Sequence, residues 1–228
     1  MAQIWHDLLF AHWPIPVEQL RRLVPSLLPL DEFDGRAWVG LVPFRMSGIR
    51  GRLLPPIPGL SSFPEFNVRT YVTLDGKPGV YFFSLDAASL AAVWGARASY
   101  RLPYFHARMS CEKPSAGSEE ICYRSERLHG PRPAVFRGRY WPVGLMELRR
   151  AGTLEHWLSE RYCLYTVAGE KVYRGEIHHE SWPLQNAEAE IEENSMTAAA
   201  GIDLPPRPPL LHFARKLRVL IWPIRRIR

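Results

Sequence analysis

Four functional side chains stand at alternate positions in one segment, SFPEFNVRTYV, which spans residues 62–72. The four are Glu65, Asn67, Arg69 and Tyr71. Because successive side chains of a β-strand point to opposite faces, an extended segment here would place all four on the same face. If that face lines enclosed space, it forms a polar binding site. If it meets water, it is a solvated face with a surface ion pair, and this strand alone leaves both interpretations open.

The residue types on this face indicate proton transfer beside an anion site. Glu65 would act as a catalytic acid or base if burial raises its pKa. Arg69 would hold a carboxylate through a two-pronged contact of its guanidinium group. Asn67 and Tyr71 would complete the substrate-binding face. The sequence therefore predicts a small-molecule ligand that carries a carboxylate or carbonyl group.

A second candidate site is the segment EIHHES at residues 176–181. In a strand, Glu176, His178 and Glu180 share one face, and His179 points to the other. A metal ion needs at least three converging ligands, and no further His or Cys is within obvious reach in the sequence. We therefore predict no metal site. His178 has two open roles: a cavity acid or base, or a structural histidine that is hydrogen-bonded to a carboxylate.

Composition limits the classes of partner. Hydrophobic residues make up 46% of the chain and charged residues 23%, as in ordinary globular proteins. The formal net charge of +6 arises from the C-terminal segment 207–228, which holds seven Arg or Lys residues and no acid. The rest of the chain is close to neutral, which predicts no nucleic-acid binding. No Gly-rich phosphate loop follows a strand, so we expect no nucleotide cofactor.

Cysteine usage and hydropathy predict a cytoplasmic protein. Three cysteines without CxxC spacing are typical of reduced thiols. No apolar run reaches about 18 residues, so we expect no stable membrane insertion. The segment 207–228 either contacts a membrane surface or an acidic partner, or forms a last strand or helix packed on the body. Assembly into a homo-oligomer stays open.

Periodicity and turn signals predict an α+β fold of mostly antiparallel strands. Strands are predicted at residues 4–10, 36–46, 63–74, 80–85, 105–112, 120–127, 134–140, 163–168, 171–178 and 187–193, and helices at 17–23, 87–100 and 153–160. Asp86 would cap the second helix. We interpret residues 1–228 as one domain whose sheet curls into a partly closed barrel or cone. The Pro- and Gly-rich segment 48–64 would form a loop over the site.

Several runs of the sequence carry a family resemblance. In chain order they are IWHDLLFAHWPIP, FDGRAWVGLVPFRM, FPEFNVRTYV, GVYFFSLDA, ARASYRLPYFHARM and HHESWPLQNAEAEI. Together they resemble the YqjF-like family, also called domain of unknown function 2071, from near residue 3 into the C-terminal segment. That family has no established activity and is grouped structurally with acetoacetate decarboxylase. The resemblance therefore implies an antiparallel β cone or barrel around a cavity, and it implies no function.

The likeness to acetoacetate decarboxylase also implies site residues. In that enzyme class a cavity glutamate assists a lysine that forms a Schiff base, and Glu65 is similar to this glutamate. Where the class has a Pro-Lys-Lys motif, this chain has Pro103, Tyr104 and Phe105, and its four lysines lie in predicted turns or in the basic tail. Since a Schiff base needs a primary amine, we predict that the protein is not a Schiff-base decarboxylase. Tyr104 would donate a hydrogen bond to a ligand carbonyl or only fill space, and His106 would share its strand face.

Two functional hypotheses follow from the sequence. The first is an enzyme that acts on a small carbonyl or carboxylate compound without lysine, with Glu65 as acid or base and Arg69 as anion clamp. The second is a non-catalytic binding protein that sequesters or senses a small apolar acid in the same cavity.

Overall fold

The fold is known from a computed structural model that describes residues 1–51, 55 and 61–228. The described residues form twelve strands and four short helices. In chain order they are β1 (Ala2–Ile15), α1 (Val17–Arg21), β2 (Ala37–Arg50), β3 (Phe63–Leu74), β4 (Lys77–Ala87), α2 (Leu90–Tyr100), β5 (Tyr104–Glu112), β6 (Ile121–Arg127), β7 (Val135–Leu148), α3 (Leu154–Ser159), β8 (Cys163–Ala168), β9 (Lys171–His179), β10 (Pro183–Asn194), α4 (Met196–Ala199), β11 (Leu210–Ile221) and β12 (Arg225–Arg226).

The strand pairings make one sheet that closes into two rings. Five neighbouring strands, β4, β3, β2, β1 and β11, belong to both rings. The first ring is completed by β8 and β9, and the second by β10, β7, β6 and β5. All pairings are antiparallel except those of β4 with β5 and with β8. The predicted α+β fold with a mostly antiparallel, curled sheet is therefore confirmed.

The shared strands bury both of their faces. In β3, Tyr71 joins the apolar cluster inside the first ring, whereas Phe66 and Val68 join the cluster inside the second ring. Ten of the twelve residues of β3 are buried, which is the pattern of a strand covered on both sides rather than of a half-exposed strand. The interpretation of Glu65, Asn67 and Arg69 as a solvated face is therefore wrong.

Two β-bulges determine which side chains of β1 and β4 point into the first ring. Asp7 adopts a left-handed backbone conformation (φ 53°) at an irregularity in the pairing of β1 with β2. In β4, Phe83 is the extra residue, because Ser84 pairs with Val68 and Phe82 with Arg69. A bulge shifts the alternation by one residue. Both Phe82 and Leu85 consequently face the cavity of the first ring although their numbers differ by three.

The second helix begins later than the sequence predicted. Residues 87–100 were expected to be helical with Asp86 as the cap, but Asp86 and Ala87 belong to β4. The helix starts at Leu90, and Ser89 caps it by accepting a hydrogen bond from the main-chain N–H of Ala92 at 3.3 Å. Asp86 instead pairs with Arg127 on β6.

The C-terminal segment is a strand of the sheet, not a free tail. Residues 210–221 form β11, which pairs with β1, β9 and β10. The packing interpretation of segment 207–228 is thereby confirmed. The prediction of a loop at 48–64 can be compared with the structure only in part. Residues up to Arg50 continue β2, and residues 52–54 and 56–60 lie outside the described residues. No helix in the described ranges is long and apolar enough to cross a membrane.

Candidate functional site

The first ring encloses a cavity of about 320 Å³. Strands β1, β2, β3, β4, β8 and β9 supply most of its wall, and the rest comes from α2, the start of β5, the end of α3, β11 and the irregular segments beside them. The wall is mostly apolar, with Trp5, Phe44, Phe82, Leu164 and Trp182 among its larger side chains. Its polar residues include Gln3, Glu65, Asn67, Arg69, Ser99, Tyr104, Ser159, Arg161 and His179. This combination of apolar walls and a few polar groups is typical of a small-molecule site.

Glu65 lines this cavity, with only 4% of its surface exposed. The hydroxyl group of Tyr104 donates a hydrogen bond to Oε2 of Glu65 at 2.9 Å. Desolvation by burial raises the pKa of Glu65 to about 8, although the hydrogen bond from Tyr104 opposes this effect. The carboxyl group therefore titrates in the range where a proton can be either donated or accepted near neutral pH.

The main chain at Glu65 is fixed from the second ring. Tyr123 of β6 is fully buried, and its hydroxyl group donates a hydrogen bond to the main-chain carbonyl of Glu65 at 2.7 Å. The carbonyl of Phe44 lies 3.2 Å from the same hydroxyl group. Tyr123 therefore links β2 and β3 at the position where the Glu65 carboxyl group enters the cavity.

Arg69 lies further along β3 and is 8% exposed. Its guanidinium carbon lies 5.3 Å from the ring centre of Phe10 and 5.7 Å from that of Tyr71. Within the described residues, no carboxylate lies within ion-pair distance of Arg69, and its Nε atom has no hydrogen-bond partner. Asn67, between Glu65 and Arg69, likewise has a buried Oδ1 atom without a partner in this part of the chain.

A second guanidinium group, that of Arg161, lines the same cavity. Its Nη1 atom pairs with Oδ2 of Asp31 at 2.5 Å, and its Nε atom donates to the carbonyl of Trp157 at 2.7 Å. The Nη2 atom is buried and has no partner among the described residues. Arg161 and Arg69 lie over the same ring, that of Tyr71. The sequence interpretation missed Arg161 because it follows α3 in an irregular stretch without alternation.

Tyr71 supports the site instead of lining it. Its side chain is fully buried, and its hydroxyl group lies 2.6 Å from Nε2 of His12. Burial, and then the nearby charge of Arg69, holds the pKa of His12 well below its usual value, so the imidazole is neutral. Gly40 leaves room for this pair, because a Cβ atom there would lie 2.9 Å from Nε2 of His12. The predicted substrate contact of Tyr71 is therefore replaced by a packing contact beneath Arg69.

The structure brings together four of the seven predicted site residues. Glu65, Asn67, Arg69 and Tyr104 line the cavity, whereas Tyr71 packs beneath it. His106 is half-buried and is absent from the described cavity wall.

The predicted cavity role of His178 is wrong because the strand faces the other way. His178 is exposed and pairs with Leu220 of β11, which is also exposed. His179 pairs with the buried Val219 and lines the cavity. Alternation in β9 was predicted correctly, but the sequence did not reveal which of its two faces is inside.

A metal-binding cluster and lysine side chains are missing from the described cavity wall. No group of three or more His, Cys, Asp or Glu residues with metal-site geometry occurs within residues 1–51 and 61–228. The chain has four lysines, and none of them belongs to the described cavity wall. One of them, Lys77, forms an ion pair with Glu176 outside the cavity.

Comparisons with known proteins give a family and a fold. A family model described as an uncharacterized conserved protein, DUF2071, matches residues 2–218. The uncharacterized protein YqjF of Bacillus subtilis (strain 168) is 50% identical over 226 residues, which cover 99% of this chain and 92% of that protein.

Solved structures of similar shape share little sequence with this chain. The enduracididine biosynthesis enzyme MppR, complexed with pyruvate, has a TM-score of 0.67 at 11% identity and covers 100% of this chain and 90% of its own. The acetoacetate decarboxylase of Legionella pneumophila has a TM-score of 0.63 at 12% identity, with 99% of this chain and 88% of its own covered. At such identities the likeness shows an acetoacetate decarboxylase-like fold and no more.

Proposed function

This chain belongs to the DUF2071 family of uncharacterized conserved proteins, and we propose that it is an enzyme that acts on a carbonyl-containing carboxylate. The ligand occupies the cavity of the first ring. Arg69 binds the carboxylate of the ligand, and Glu65 exchanges a proton with it. Neither step requires a lysine.

The observation that carries this proposal is the state of Arg69. A guanidinium group is protonated at all physiological pH values, and burying it without a partner costs several kcal/mol. Within the described chain no carboxylate offsets that cost. An anionic ligand would provide the missing charge and would form the two-pronged contact that the guanidinium geometry favours. The free Nη2 atom of Arg161 supports the same end of the ligand.

Glu65 supports a proton-transfer role. With a pKa raised to about 8, its carboxyl group is mostly protonated at pH 7 and can donate its proton to a carbonyl oxygen. In its ionised form it can accept a proton from the carbon beside the carbonyl. That C–H bond then breaks, its electron pair forms a carbon–carbon double bond, and the π pair of the carbonyl group moves onto its oxygen to give an enolate. Tyr104 can donate its one hydroxyl proton to the same oxygen once it turns away from Glu65.

The absence of a cavity lysine favours this chemistry over imine chemistry. The names of the structural neighbours mention pyruvate and acetoacetate, which are both oxo acids. Oxo acids are therefore the first compounds to test. Since no lysine belongs to the described wall, an oxo acid bound here would react through proton transfer at Glu65 and not through a lysine Schiff base.

A non-catalytic binding protein is the second candidate. Apart from Glu65, the described wall offers few groups for chemistry: it has no cysteine, and Ser159 donates its hydroxyl to the carbonyl of Glu155 at 2.8 Å. Cys111, Cys122 and Cys163 are free thiols in the described chain, which supports the expectation of a reducing, cytoplasmic setting for either function.

Calorimetric titration tests the anion site. Oxo acids from pyruvate to 7-oxooctanoate are compared with the corresponding ketones, which lack the carboxylate. We expect binding of at least one oxo acid and a loss of at least tenfold in its affinity in Arg69→Gln. Arg108→Gln is the matched control, because Arg108 is exposed and pairs with Glu126 on the outside of the sheet. Unchanged affinity in Arg69→Gln would contradict the proposal.

Isotope exchange separates the two candidate functions. In D₂O, the wild-type protein should exchange the hydrogen atoms beside the carbonyl of the bound oxo acid faster than buffer does, as followed by ¹H NMR. Glu65→Gln should bind the acid and lose this exchange. If the wild-type protein binds oxo acids in an Arg69-dependent manner and never accelerates exchange, the binding-protein candidate is preferred.

A further inference from the structure

We infer that the ligand is an elongated acid, with its carboxylate on Arg69, an apolar body, and a carbonyl or hydroxyl group at its far end against Glu65 and Tyr104. This inference rests on the proposed function and specifies its substrate class. It follows from the distribution of polar groups along the cavity.

The polar groups that would bind the two ends of the ligand lie far apart along the cavity. Glu65 and Arg69 are four residues apart on the continuous strand β3, so their Cα atoms are separated by about 13 Å. The guanidinium group of Arg69 leans over the ring of Tyr71, further away from Glu65. Asp31, the partner of Arg161, donates its main-chain N–H to the carbonyl of Tyr71 at 3.0 Å. Both guanidinium groups therefore belong to the end of the cavity opposite Glu65.

The residues paired with this part of β3 present apolar side chains to the cavity. On the strands beside β3, Phe44 pairs with Glu65, Val42 with Asn67 and Phe82 with Arg69, and all three partners line the cavity. Asn67 is the polar side chain of β3 at mid-length. An apolar ligand body is preferred here, because burying a polar group without a hydrogen bond is costly.

The Glu65 end suits an uncharged polar group. Glu65 and Tyr104 already share a hydrogen bond, and both are enclosed by the wall. No lysine or arginine of the described wall lies at this end to balance a second carboxylate beside Glu65, and the N-terminal ammonium group of Met1, which also lines the cavity, donates to the carbonyl of Ile221 at 2.7 Å. A carbonyl or hydroxyl oxygen can instead accept a hydrogen bond from Tyr104 or from protonated Glu65. A span of about 13 Å between strand positions corresponds to a ligand of roughly six to ten carbon atoms.

A chain-length series on the wild-type protein tests this inference. Straight-chain carboxylic acids of increasing length, from acetate to dodecanoate, are titrated by calorimetry together with the same acids carrying a terminal hydroxyl group. We expect affinity to rise roughly threefold to fourfold per added methylene group and then to stop rising once the cavity is filled. A terminal hydroxyl group should improve binding only at the length where it reaches Glu65.

Two variants locate the ends of the ligand. Arg69→Gln should weaken every acid, whereas Glu65→Gln should remove only the gain from the terminal hydroxyl group. Glu126→Gln is the matched control, because Glu126 is exposed on β6. Thermal unfolding establishes that each variant is folded, and the chain-length series does not depend on any variant.

The outcomes distinguish this inference from the proposed function. Affinity that increases with length and depends on Arg69 supports both. If pyruvate or acetate binds as tightly as octanoate and still depends on Arg69, the elongated ligand is wrong and the anion site stands. If no acid of any length binds, or if the affinity is unchanged in Arg69→Gln, the inference and the proposed function are both wrong.

Discussion

The hydroxyl group of Tyr104 lies 2.9 Å from Oε2 of Glu65, although the two residues are 39 positions apart and lie on different strands. The parallel pairing of β4 with β5 brings them together. Leu85 pairs with Tyr104 in this ladder, and Ala87 of the same strand pairs with Glu65. The cavity carboxyl group therefore receives its hydrogen bond from a residue that the parallel ladder positions, and not from a neighbour on its own hairpin.

Tyr104→Phe removes a hydrogen bond that stabilises the ionised carboxylate of Glu65. The pKa of Glu65 should therefore rise above its present value of about 8. A hydrogen bond to a charged group contributes about 1.5–3 kcal/mol, so we expect an increase of roughly one unit or more. The ¹³C resonance of the Glu65 carboxyl group, assigned with Glu65→Gln, reports the titration. Tyr100→Phe is the control, since Tyr100 lines the cavity without a hydrogen bond to Glu65 in the described chain. Equal pKa values in Tyr104→Phe and the wild type would contradict the assignment.

The contribution of Glu65 to the stability of the protein should fall as pH rises from 5 to 8. In the native state Glu65 keeps its proton up to about pH 8, whereas in the unfolded chain it loses the proton near its ordinary pKa of 4.5. The stabilising contribution is therefore fully present below pH 4.5 and is lost as pH rises through 8. At about 1.4 kcal/mol per pK unit, the loss between pH 5 and 8 is of the order of 3 kcal/mol.

In Glu65→Gln this part of the pH dependence of the free energy of unfolding should be absent, because glutamine does not titrate. Urea unfolding of both proteins at pH 5, 6.5 and 8 measures the difference in the free energy of unfolding. Glu126→Gln, at an exposed position, should keep the slope of the wild type. If the difference in the free energy of unfolding between the wild type and Glu65→Gln is the same at pH 5 and at pH 8, Glu65 is ionised in the native state.

Gly40→Ala should weaken both stability and acid binding. The added Cβ atom would lie 2.9 Å from Nε2 of His12 and 3.4 Å from the hydroxyl group of Tyr71. Because these groups are packed beneath Arg69, their displacement should destabilise the protein by about 1–3 kcal/mol and lower the affinity for carboxylates. Gly95→Ala in α2 meets nothing within 4 Å and should instead stabilise the protein by up to about 1 kcal/mol. Urea unfolding measures both changes, and a neutral Gly40→Ala would mean that the pair does not support Arg69.

Asp86→Asn should lower the free energy of unfolding far more than Glu126→Gln. The arginine partners of these two acids lie on the neighbouring strands β6 and β5. Asp86 forms a two-pronged ion pair with Arg127 at 2.7 Å, and both side chains are buried. Breaking it leaves a buried guanidinium group uncompensated, so we expect a loss of about 3–5 kcal/mol. The exposed pair of Glu126 with Arg108 should contribute less than about 1 kcal/mol. Denaturant unfolding tests this order, and comparable losses would contradict the burial of Asp86.

Alternation was sufficient to predict that Glu65, Asn67 and Arg69 share one face of a strand, but it left open whether that face lines enclosed space. The spacing of Glu65, Asn67 and Arg69 fixed their common face, and the structure directs all three into the cavity. Alternation cannot tell which face is inside when both are covered. For that reason the inward residue of β9 is His179 rather than His178.

Other parts of the site depend on features that no local pattern reveals. The bulge at Asp7 changes the alternation of β1, so its inward residues do not follow one parity. Tyr71 shares the face of Arg69 but meets His12, a residue 59 positions away, before it can reach the cavity. Arg161 enters through an irregular segment, and its proximity to Arg69 arises from tertiary packing around Tyr71.

The most direct test of the carboxylate site is the ¹⁵N–¹H NMR signal of Arg69 Nε, assigned by its disappearance in Arg69→Gln. In the described chain this atom has no hydrogen-bond partner, and a bound carboxylate would provide one. We expect octanoate to move the signal downfield and to slow its exchange with water, whereas 1-octanol leaves it in place. If octanoate binds the protein and the Arg69 signal does not change, the carboxylate is not held by Arg69 and the proposed site is wrong.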